Sequence, residues 1–362
     1  MKTIGIMTIH TTYNYGAVLQ AYATEAFFNN NGYDAELIDY TNPHIQEMLK
    51  LTYKQYGKWT GYIKTLILNT LFKRLYYYRK GFGKIHDTCR FSRKYDTRES
   101  LDEAEYDILV AGSDQLWNPM ISGELDPVFF LQFGKANKRI SVASSLGSYT
   151  LSDSEKKNVS KYLEKFDHIS VREEFARVQL QQLTSCPIKV LLDPTLLLKK
   201  DFWLNKVIKE SQYKKKTERY IVTYFAGGDK NPYRKTIAEY SKMMNLPVWT
   251  IQYSNYTWKE SSKKILGATM EDFVALIANA DLVITDSFHG VAFSLNMETN
   301  FVALTNTANP VRVRALLEKL ELVDRIDMPI TSYRSVDYTE VTPKLQALQK
   351  DSIDWIMNAV ES

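Results

Sequence analysis

Short apolar runs alternate with longer amphipathic stretches over most of the chain. A helical pattern at 17–30 follows the first of these runs. The strand-like runs of the first half lie at 3–9, 35–39, 107–111, 139–144, 168–171 and 188–192. Strands that alternate with helices in this way predict a mainly parallel sheet with helices on both faces.

The second half restarts this rhythm after a charged stretch. Its strand-like runs lie at 220–225, 248–252, 282–285 and 301–304, with helical patterns at 232–244 and 270–278. The chain therefore predicts an α/β protein with two Rossmann-like, doubly wound domains. Such domains bind ligands at the carboxyl ends of their strands, in the crevice between them.

The predicted domains cover residues 1–198 and 219–341, and residues 199–218 link them. A C-terminal helix is expected over 342–362. Thr342 suits its N-cap and Pro343 its first helical position, because proline at that position loses no intrahelical hydrogen bond.

Composition narrows the class of protein. With 44% hydrophobic residues and a net charge of +4, the chain of 362 residues is expected to be soluble and globular. The small positive excess, without a zinc knuckle or an RNP-like motif, gives no reason to expect a nucleic-acid partner. Cys89 and Cys186 have neither disulfide-framework nor zinc-site spacing, which favours a reducing cytoplasm and predicts no metal site. Residues 1–10 are typical of a first strand and not of a signal peptide.

One segment, residues 50–86, departs from the pattern because it contains no acidic residue. Its basic residues, Lys50, Lys54, Lys58, Lys64, Lys73, Arg74, Arg79, Lys80 and Lys84, alternate with aromatic ones. Apolar residues repeat every four positions from Ile63 to Leu75, which predicts a helix with an apolar stripe. Two interpretations stay open: a peripheral contact of 50–84 with anionic lipid at the inner face of the cell membrane, or a helical insertion packed on the domain.

The candidate chemistry centres on the apolar run that begins at Asp281 and ends in Thr285. A strand that leads into a helix N-terminus presents backbone N–H groups and the positive end of the helix dipole to an anion. His289 lies in that first turn and is our candidate proton donor beside a bound phosphate or carboxylate. The alternative is a capping or packing histidine.

Two other loops carry clusters of polar groups at predicted strand ends. The first contains His10, Asn14, Tyr15, Gly16 and Gln20, and the second contains Ser113, Asp114, Gln115, Trp117 and Asn118. An acid, several amides and an aromatic ring can hold and activate a sugar hydroxyl, so we assign both loops to acceptor binding. Asn14 and Asp114 could instead be caps or turn residues, and Trp117 could be a core residue.

Arginines could complete an anion site. Arg172 follows another apolar run and can bind a carboxylate or phosphate through two parallel hydrogen bonds, although a salt bridge with Glu173 or Glu174 is the alternative. Arg312 and Arg314 follow the 301–304 strand and could approach the same anion, unless they lie on a solvated helix surface.

Five segments resemble, in order, those of the polysaccharide pyruvyl transferases. They are 14–20 (NYGAVLQ), 112–118 (GSDQLWN), 170–173 (SVRE), 192–195 (LDPT) and 285–290 (TDSFHG). The resemblance implies a GT-B-like fold with the active site between the two domains. It also implies transfer of pyruvate from phosphoenolpyruvate, a co-substrate rather than a cofactor, to two hydroxyls of a sugar as a cyclic ketal.

The resemblance further implies residue roles and a cellular setting. His289 would be the general acid and Arg172 a donor-binding residue, within the cytoplasmic assembly of capsule, exopolysaccharide or cell-wall glycans. The acceptor sugar could be lipid-linked.

This chain departs from the family at Ser287, where many members carry arginine. The donor would then contact Ser287, Gly290 and the helix N-terminus, with Arg312 or Arg314 replacing the missing cation. Asp114 is the candidate to accept a hydroxyl proton. A nucleotide-sugar glycosyltransferase and a non-catalytic saccharide-binding protein stay open as alternatives, because a fold does not fix a function.

Overall fold

A computed structural model describes residues 1–50, 58–83, 85–226, 233–252, 261–305 and 310–362. Within these ranges the first half contains a sheet of five parallel strands, in the order β3-β2-β1-β4-β5. The strands are β1 (Thr3–Met7), β2 (Asp34–Tyr40), β3 (Phe91–Tyr95), β4 (Glu105–Ala111) and β5 (Lys135–Ser141). A parallel pair, β6 (Ile169–Val171) and β7 (Ile188–Val190), continues this sheet beyond β5 through isolated bridges.

Helices cover this sheet and fill its connections. They are α1 (Tyr15–Asn30), α2 (Pro43–Leu49), α3 (Lys58–Thr70), α4 (Arg74–Phe82), α5 (Ile85–Thr88), α6 (Pro119–Ser122), α7 (Asp153–Leu163), α8 (Glu174–Leu180) and α9 (Pro194–Leu197). The longest, α1, begins at Asn14, whose side chain accepts the N–H groups of Gly16 and Ala17.

The described part of the second half repeats the arrangement, with five parallel strands in the order β10-β9-β8-β11-β12. The strands are β8 (Ile221–Tyr224), β9 (Val248–Gln252), β10 (Lys263–Leu266), β11 (Leu282–Thr285) and β12 (Phe301–Ala303). The helices are α11 (Arg234–Met244), α12 (Met270–Ala278), α13 (Phe288–Met297) and α14 (Pro310–Lys319). The middle strands β8 and β11 are buried at every position, as continuous apolar runs predict.

The crossing between the halves is more ordered than a plain linker. It contains the short α10 (Lys200–Phe202), a π-helical turn over Trp203–Val207 and a 3₁₀ turn over Ile208–Glu210. Trp203 is fully buried, lies edge-on to Phe293 with ring centroids 4.8 Å apart, and donates its indole N–H to the carbonyl of Leu198. A buried tryptophan therefore fixes this charged segment to the protein core.

The C-terminal helix begins earlier than we predicted, which corrects the assignment of its N-cap to Thr342. Helix α15 (Tyr338–Glu361) is capped by Asp337, whose carboxylate accepts the N–H of Thr339 at 3.0 Å, and Pro343 lies inside the helix. The helix returns to the first half, where the side chain of Gln349 donates to the carbonyl of Leu196 at 2.7 Å.

The two halves share one continuous core. Tyr15, in the first turn of α1, stacks on Phe273 of α12 with ring centroids 4.8 Å apart. Its hydroxyl donates to the carbonyl of Ala268 at 2.6 Å. The halves are thus joined at the carboxyl end of β1, where the crevice forms. No helix in the described part of the chain combines the length and apolar character needed to cross a bilayer.

Candidate functional site

The start of α13 is fixed by a set of short hydrogen bonds. The hydroxyl of Thr285 accepts the N–H of Ser287 at 3.1 Å and donates to the carbonyl of Tyr224 at 2.6 Å. Ser287 is the N-cap and accepts the N–H of Gly290 at 3.3 Å. A Cβ atom at Gly290 would lie 2.5 Å from the Thr285 hydroxyl, so glycine is required there. Phe288 and the histidine after it therefore have a fixed position in the first turn.

His289 is held between the two halves of the protein. Its Nε2 lies 3.6 Å from Oδ2 of Asp193, and its side chain is buried. Its Nδ1 faces Gly16 in the first turn of α1, so closely that a Cβ atom at Gly16 would lie 1.9 Å away. The close approach explains why glycine occupies that helical position.

Asp193 connects His289 to the rest of the site. One carboxylate oxygen caps α9 through the N–H and hydroxyl of Thr195. The other accepts Nη1 of Arg172 at 2.8 Å and the hydroxyl of Ser113 at 3.0 Å. Burial would raise the pKa of Asp193, but His289 and Arg172 together hold it well below its usual range. The carboxylate is therefore ionised at neutral pH.

Arg172 keeps its charge despite complete burial. Burial would lower the pKa of its guanidinium, but Asp193, Asp114 and Glu173 raise it. Besides its bond to Asp193, its Nη2 lies 3.6 Å from Asp114 and its Nε 3.9 Å from Glu173. Among the described residues, Nε and Nη2 have no hydrogen-bond partner. A ligand anion would supply one.

Glu173 is a structural acid and not the main partner of Arg172. Its carboxylate accepts the hydroxyl of Ser145 at 2.8 Å and the N–H of Leu146 at 3.1 Å, which ties down the turn after β5. Burial raises its pKa, although Arg172 and Arg312 oppose the shift. Glu174 is outside this network and pairs with Arg177.

Arg312 joins Arg172 around a single aromatic ring. Their guanidinium carbons lie 5.9 and 4.9 Å, respectively, from the ring centre of Phe288. Burial, followed by repulsion from Arg172, lowers the pKa of Arg312 to about 10. An arginine of that pKa still carries its charge at pH 7. Two buried cations so close together favour an anion between them.

These groups surround a cavity of about 80 Å³. Its lining includes Arg172, Glu173, Asp193, Phe288, Arg312 and Lys319. Pockets for drug-sized ligands span roughly 300–1,000 Å³, so this cavity by itself has the size of a site for a small ligand. Asp193 lines the cavity and also lies 3.6 Å from Nε2 of His289, so one carboxylate connects the cavity to the histidine.

Asp114 adopts an uncommon backbone conformation beside this cavity. Its φ is +79°, outside the usual range for a residue with a side chain, and such strain is often found at functional sites. Its carboxylate is partly exposed. Nearby, Asn118 caps α6 and donates its amide to Gln115 at 2.9 Å. Gly147 packs on this pair, and a Cβ atom there would lie 2.0 Å from the Gln115 amide oxygen.

Trp117 does not lie on the surface of the crevice, which corrects its assignment as an acceptor-binding residue. Its side chain is fully buried and stacks on Phe130 with ring centroids 5.0 Å apart. Its indole N–H donates to the carbonyl of Phe129 at 2.9 Å. The apolar face and the polar edge of the ring are both occupied, so Trp117 is a core residue.

The acceptor residues proposed after β1 mainly hold the structure together in this conformation. Asn14 is a cap and Tyr15 is an interdomain contact, as described above. His10 is buried against Phe91, with its Nε2 3.8 Å from Asp39. Gln20 is fully buried and donates to the hydroxyl of Thr8 at 2.8 Å. His10 and Gln20 are buried in this conformation, and their assignment to acceptor binding stays a prediction. Of the residues after β1, Gly16 is the one that contacts His289.

The two remaining arginine candidates differ in burial. Arg312 is buried beside Arg172, whereas Arg314 is exposed on α14. Their spacing of two residues on a helix turns them to different sides. The hydroxyl of Ser287 caps α13. Of the two arginines, Arg312 is the one near the site, and Arg314 is a surface residue.

Two important residues were missed by sequence reasoning. Asp193 was noticed only as part of the LDPT segment, and Phe288 only as a neighbour of the histidine. The signal for Asp193 was an N-cap acid followed by proline at a strand end. The signal for Phe288 was weak, because a phenylalanine that opens a helix is usually a packing residue.

The charges of the site are arranged for an anion. In the described ranges, no three histidine, cysteine, aspartate or glutamate residues come together as a metal site would require. The described groups that converge are two arginines, a histidine and a helix N-terminus, together with the carboxylates of Asp193, Glu173 and Asp114. Groups of the first kind are those that proteins use to bind phosphate or carboxylate.

Comparison with solved structures identifies the class of fold. UDP-N-acetylglucosamine 2-epimerase from Neisseria meningitidis, determined with UDP-GlcNAc bound, matches with a TM-score of 0.52 and 11% identity, covering 99% of each chain. The corresponding enzyme from Rickettsia bellii matches with a TM-score of 0.50 and 11% identity, covering 100% of this chain and 97% of that one. At such identity the likeness concerns the fold alone, and it confirms the predicted GT-B-like arrangement.

The family is identified by sequence. The pattern of the polysaccharide pyruvyl transferase family matches residues 14–308, and the chain belongs to that family. The resemblance predicted from five short segments is thereby confirmed. A search of curated proteins found no match.

Proposed function

We propose that this protein transfers pyruvate from phosphoenolpyruvate to two hydroxyl groups of a sugar, forming a cyclic ketal and releasing phosphate. The sugar would belong to a capsule, exopolysaccharide or cell-wall glycan under assembly. Family membership supports the class of reaction. The observation that carries the proposal is the convergence of two buried arginines and His289 around the ionised Asp193.

Phosphoenolpyruvate carries a phosphate and a carboxylate on adjacent groups, and the cavity offers a cation for each. Arg172 has unused donors and a rigid fork geometry that matches either anion. The guanidinium of Arg312 lies 5.9 Å from the centre of the Phe288 ring, and the α13 N-terminus adds a third positive end. An anion would also relieve the repulsion between the two guanidinium groups.

His289 is the proposed source of the proton that activates the donor. Transfer of that proton to the methylene carbon makes the neighbouring C2 electrophilic, and a sugar hydroxyl then adds to C2. The carbon–oxygen bond to phosphate breaks, and the second hydroxyl closes the ketal. Of the two hydroxyl protons released, one replaces the proton that His289 gave to the new methyl group, and the other leaves with phosphate. His289 is therefore protonated again at the end.

Asp193 and Asp114 have separate proposed roles. Asp193 stays ionised and lies beside Nε2 of His289, where it stabilises the protonated ring and fixes its orientation. Asp114 is partly exposed, lies 3.6 Å from Nη2 of Arg172 and would accept the proton of the attacking hydroxyl.

Donor identity separates this proposal from the glycosyltransferase and saccharide-binding alternatives. The purified protein should be incubated with candidate saccharides and either phosphoenolpyruvate or UDP-GlcNAc, followed by phosphate assay and mass spectrometry. We expect phosphate release only with phosphoenolpyruvate, and a product heavier by one pyruvate ketal. Release of UDP with sugar transfer would establish a glycosyltransferase instead. Saccharide binding without turnover of either donor, over a broad acceptor panel, would favour a binding protein.

A further inference from the structure

Helix α3 presents its apolar side chains to solvent instead of to the protein. Trp59, Tyr62, Ile63, Leu66 and Ile67 follow the spacing of a single helical stripe, and their exposure ranges from 81% at Trp59 to 40% at Ile67. We call these five residues the α3 face. The opposite side, which packs on the protein, consists of the smaller Gly61 and Thr65 together with Leu68. An apolar stripe normally faces the core, so this helix is inverted.

The segment that contains the α3 face carries charge of one sign. No aspartate or glutamate occurs between Glu47 and Asp87, whereas nine lysines and arginines do. Lys64 lies beside the stripe, Lys73 is the N-cap of the next helix and Lys80 lies within it, and all three are exposed. The rest of the chain carries more negative than positive charge, so the positive excess of the protein comes entirely from this segment.

The next helix fixes the α3 face near the crevice. Phe82 of α4 lies 4.6 Å from the ring of Tyr15, and Tyr78 lies 4.4 Å from the ring of Tyr13. Gly81 approaches the carbonyl of Ala268 so closely that a Cβ atom would lie 2.7 Å from it. Tyr15 precedes Gly16, the residue in contact with His289. Helix α4, which contacts α3, is therefore anchored beside the first turn of α1, next to the residue that contacts His289.

We propose that the α3 face docks the protein on a membrane surface rich in anionic phospholipid. Aromatic and branched side chains enter the boundary between headgroups and acyl chains, while the surrounding lysines meet the negative headgroups. A second copy of the chain fits this surface poorly, because self-association would bring two uniformly positive segments together. The lipid surface satisfies both the apolar and the charged part of the segment.

Docking also defines the class of acceptor, a step that rests on the proposed function. A surface anchored at the crevice would bring the active site to saccharides attached to a membrane lipid. The acceptor would then be lipid-linked. Membrane binding itself is measured without any reaction, so its failure is distinct from failure of the proposed chemistry.

The test is co-sedimentation of the full chain with vesicles of phosphatidylcholine, with or without phosphatidylglycerol. We expect binding only to the anionic vesicles, and release when salt rises to 1 M, where the Debye length falls to about 3 Å. The triple variant K64Q, K73Q and K80Q should bind roughly 100-fold more weakly at low salt. A matched variant with the same charge change on exposed α7 and its C-terminal extension, K157Q, K161Q and K165Q, should bind like wild type.

The apolar contribution has its own readout. Trp59 fluorescence should shift to the blue on anionic vesicles and be quenched by lipids brominated in their acyl chains. The W59F variant should lose this response but keep part of the binding. On a water-soluble acceptor fragment, the lysine variant should turn over at the wild-type rate, whereas on a lipid-linked acceptor it should be slower.

Several outcomes would overturn the proposal. One is that wild-type protein stays in the supernatant with anionic vesicles at low salt. Another is that the α3–α4 and the α7 triple variants lose binding equally. Concentration-dependent dimerisation that shields Trp59 without lipid would instead make the α3 face an interface between copies.

Discussion

The contact between Gly16 and His289 provides the sharpest test of how the site is built. In Gly16→Ala the new Cβ would lie 1.9 Å from Nδ1, whereas ordinary contacts begin at 3.4 Å, so the ring must retreat by about 1.5 Å. A displacement of about 1 Å at a reacting group can lower turnover about 10²-fold. We therefore expect kcat to fall by about that factor while binding of phosphoenolpyruvate changes little, because the arginines are untouched.

The same substitution has a measurable effect on stability. Overpacking costs about 1–3 kcal/mol, and alanine regains up to about 1 kcal/mol of helix propensity over glycine. The net change in the free energy of unfolding should thus be a loss of about 0–2 kcal/mol. In a His289→Ala background the ring is absent, so Gly16→Ala should be neutral or stabilising.

Wild type, the two single variants and the double variant form a double-mutant cycle. Urea denaturation of these four proteins gives the coupling energy between Gly16 and His289, which we expect to be about 1–3 kcal/mol. Isothermal titration with phosphoenolpyruvate and a turnover assay complete the comparison. A Gly16→Ala protein with normal turnover, or one destabilised equally in both backgrounds, would refute the close approach and with it the position of the histidine.

Three further predictions follow from the charges of the site and its surroundings. Arg312→Ala should raise KM for phosphoenolpyruvate about 10-fold or more in steady-state assays, while the matched surface variant Arg314→Ala should leave it unchanged. If the two variants have the same KM, Arg312 does not belong to the donor site. Asp193→Asn keeps a good N-cap but removes the charge to which Arg172 is hydrogen-bonded. We therefore expect kcat to fall and the free energy of unfolding, measured by urea denaturation, to drop by about 3–5 kcal/mol. Full activity would exclude the proposed orienting role. Burial raises the pKa of Glu25 to about 7, so its ionisation lowers stability as pH rises from the unfolded value toward 7. Glu25→Gln should therefore raise the melting temperature at pH 8 and much less at pH 4, and an equal change at both pH values would contradict the buried, protonated state.

The parallel core was readable from sequence because buried central strands are continuous apolar runs. Strand β11 has the bounds we predicted, since Leu282 to Thr285 carries no polar side chain before the hydroxyl that ends it. The edge strands β3 and β10 were missed. Each is short and contains two consecutive charged residues, which hides the alternation that identifies a strand.

The errors have local causes. Thr342 followed by Pro343 imitates a helix start, but Asp337 caps the helix five residues earlier and the proline is accommodated within it. Trp117 lies within a polar segment, but its indole N–H finds a carbonyl inside the core. Partners that are distant in sequence cannot be predicted from the local pattern of residues.

The charged centre of the site could be predicted only in part. His289 and Arg172 follow recognisable strand ends, so each was a candidate alone. Asp193, which joins them, is 80 residues from Ser113, to which it is hydrogen-bonded. Its importance arises from the meeting of separate strand ends, and a single sequence does not reveal which ends meet.

The central claim is that His289 and the two arginines act together on phosphoenolpyruvate. Its most direct test is mass spectrometry of lipid-linked and soluble saccharides after incubation with phosphoenolpyruvate labelled in the methylene carbon, for wild type and His289→Ala. We expect wild type to form a labelled ketal with release of one phosphate per ketal, and the variant to bind the donor but turn over about 10²–10⁴-fold more slowly. Ketal formation by His289→Ala at the wild-type rate would contradict the account.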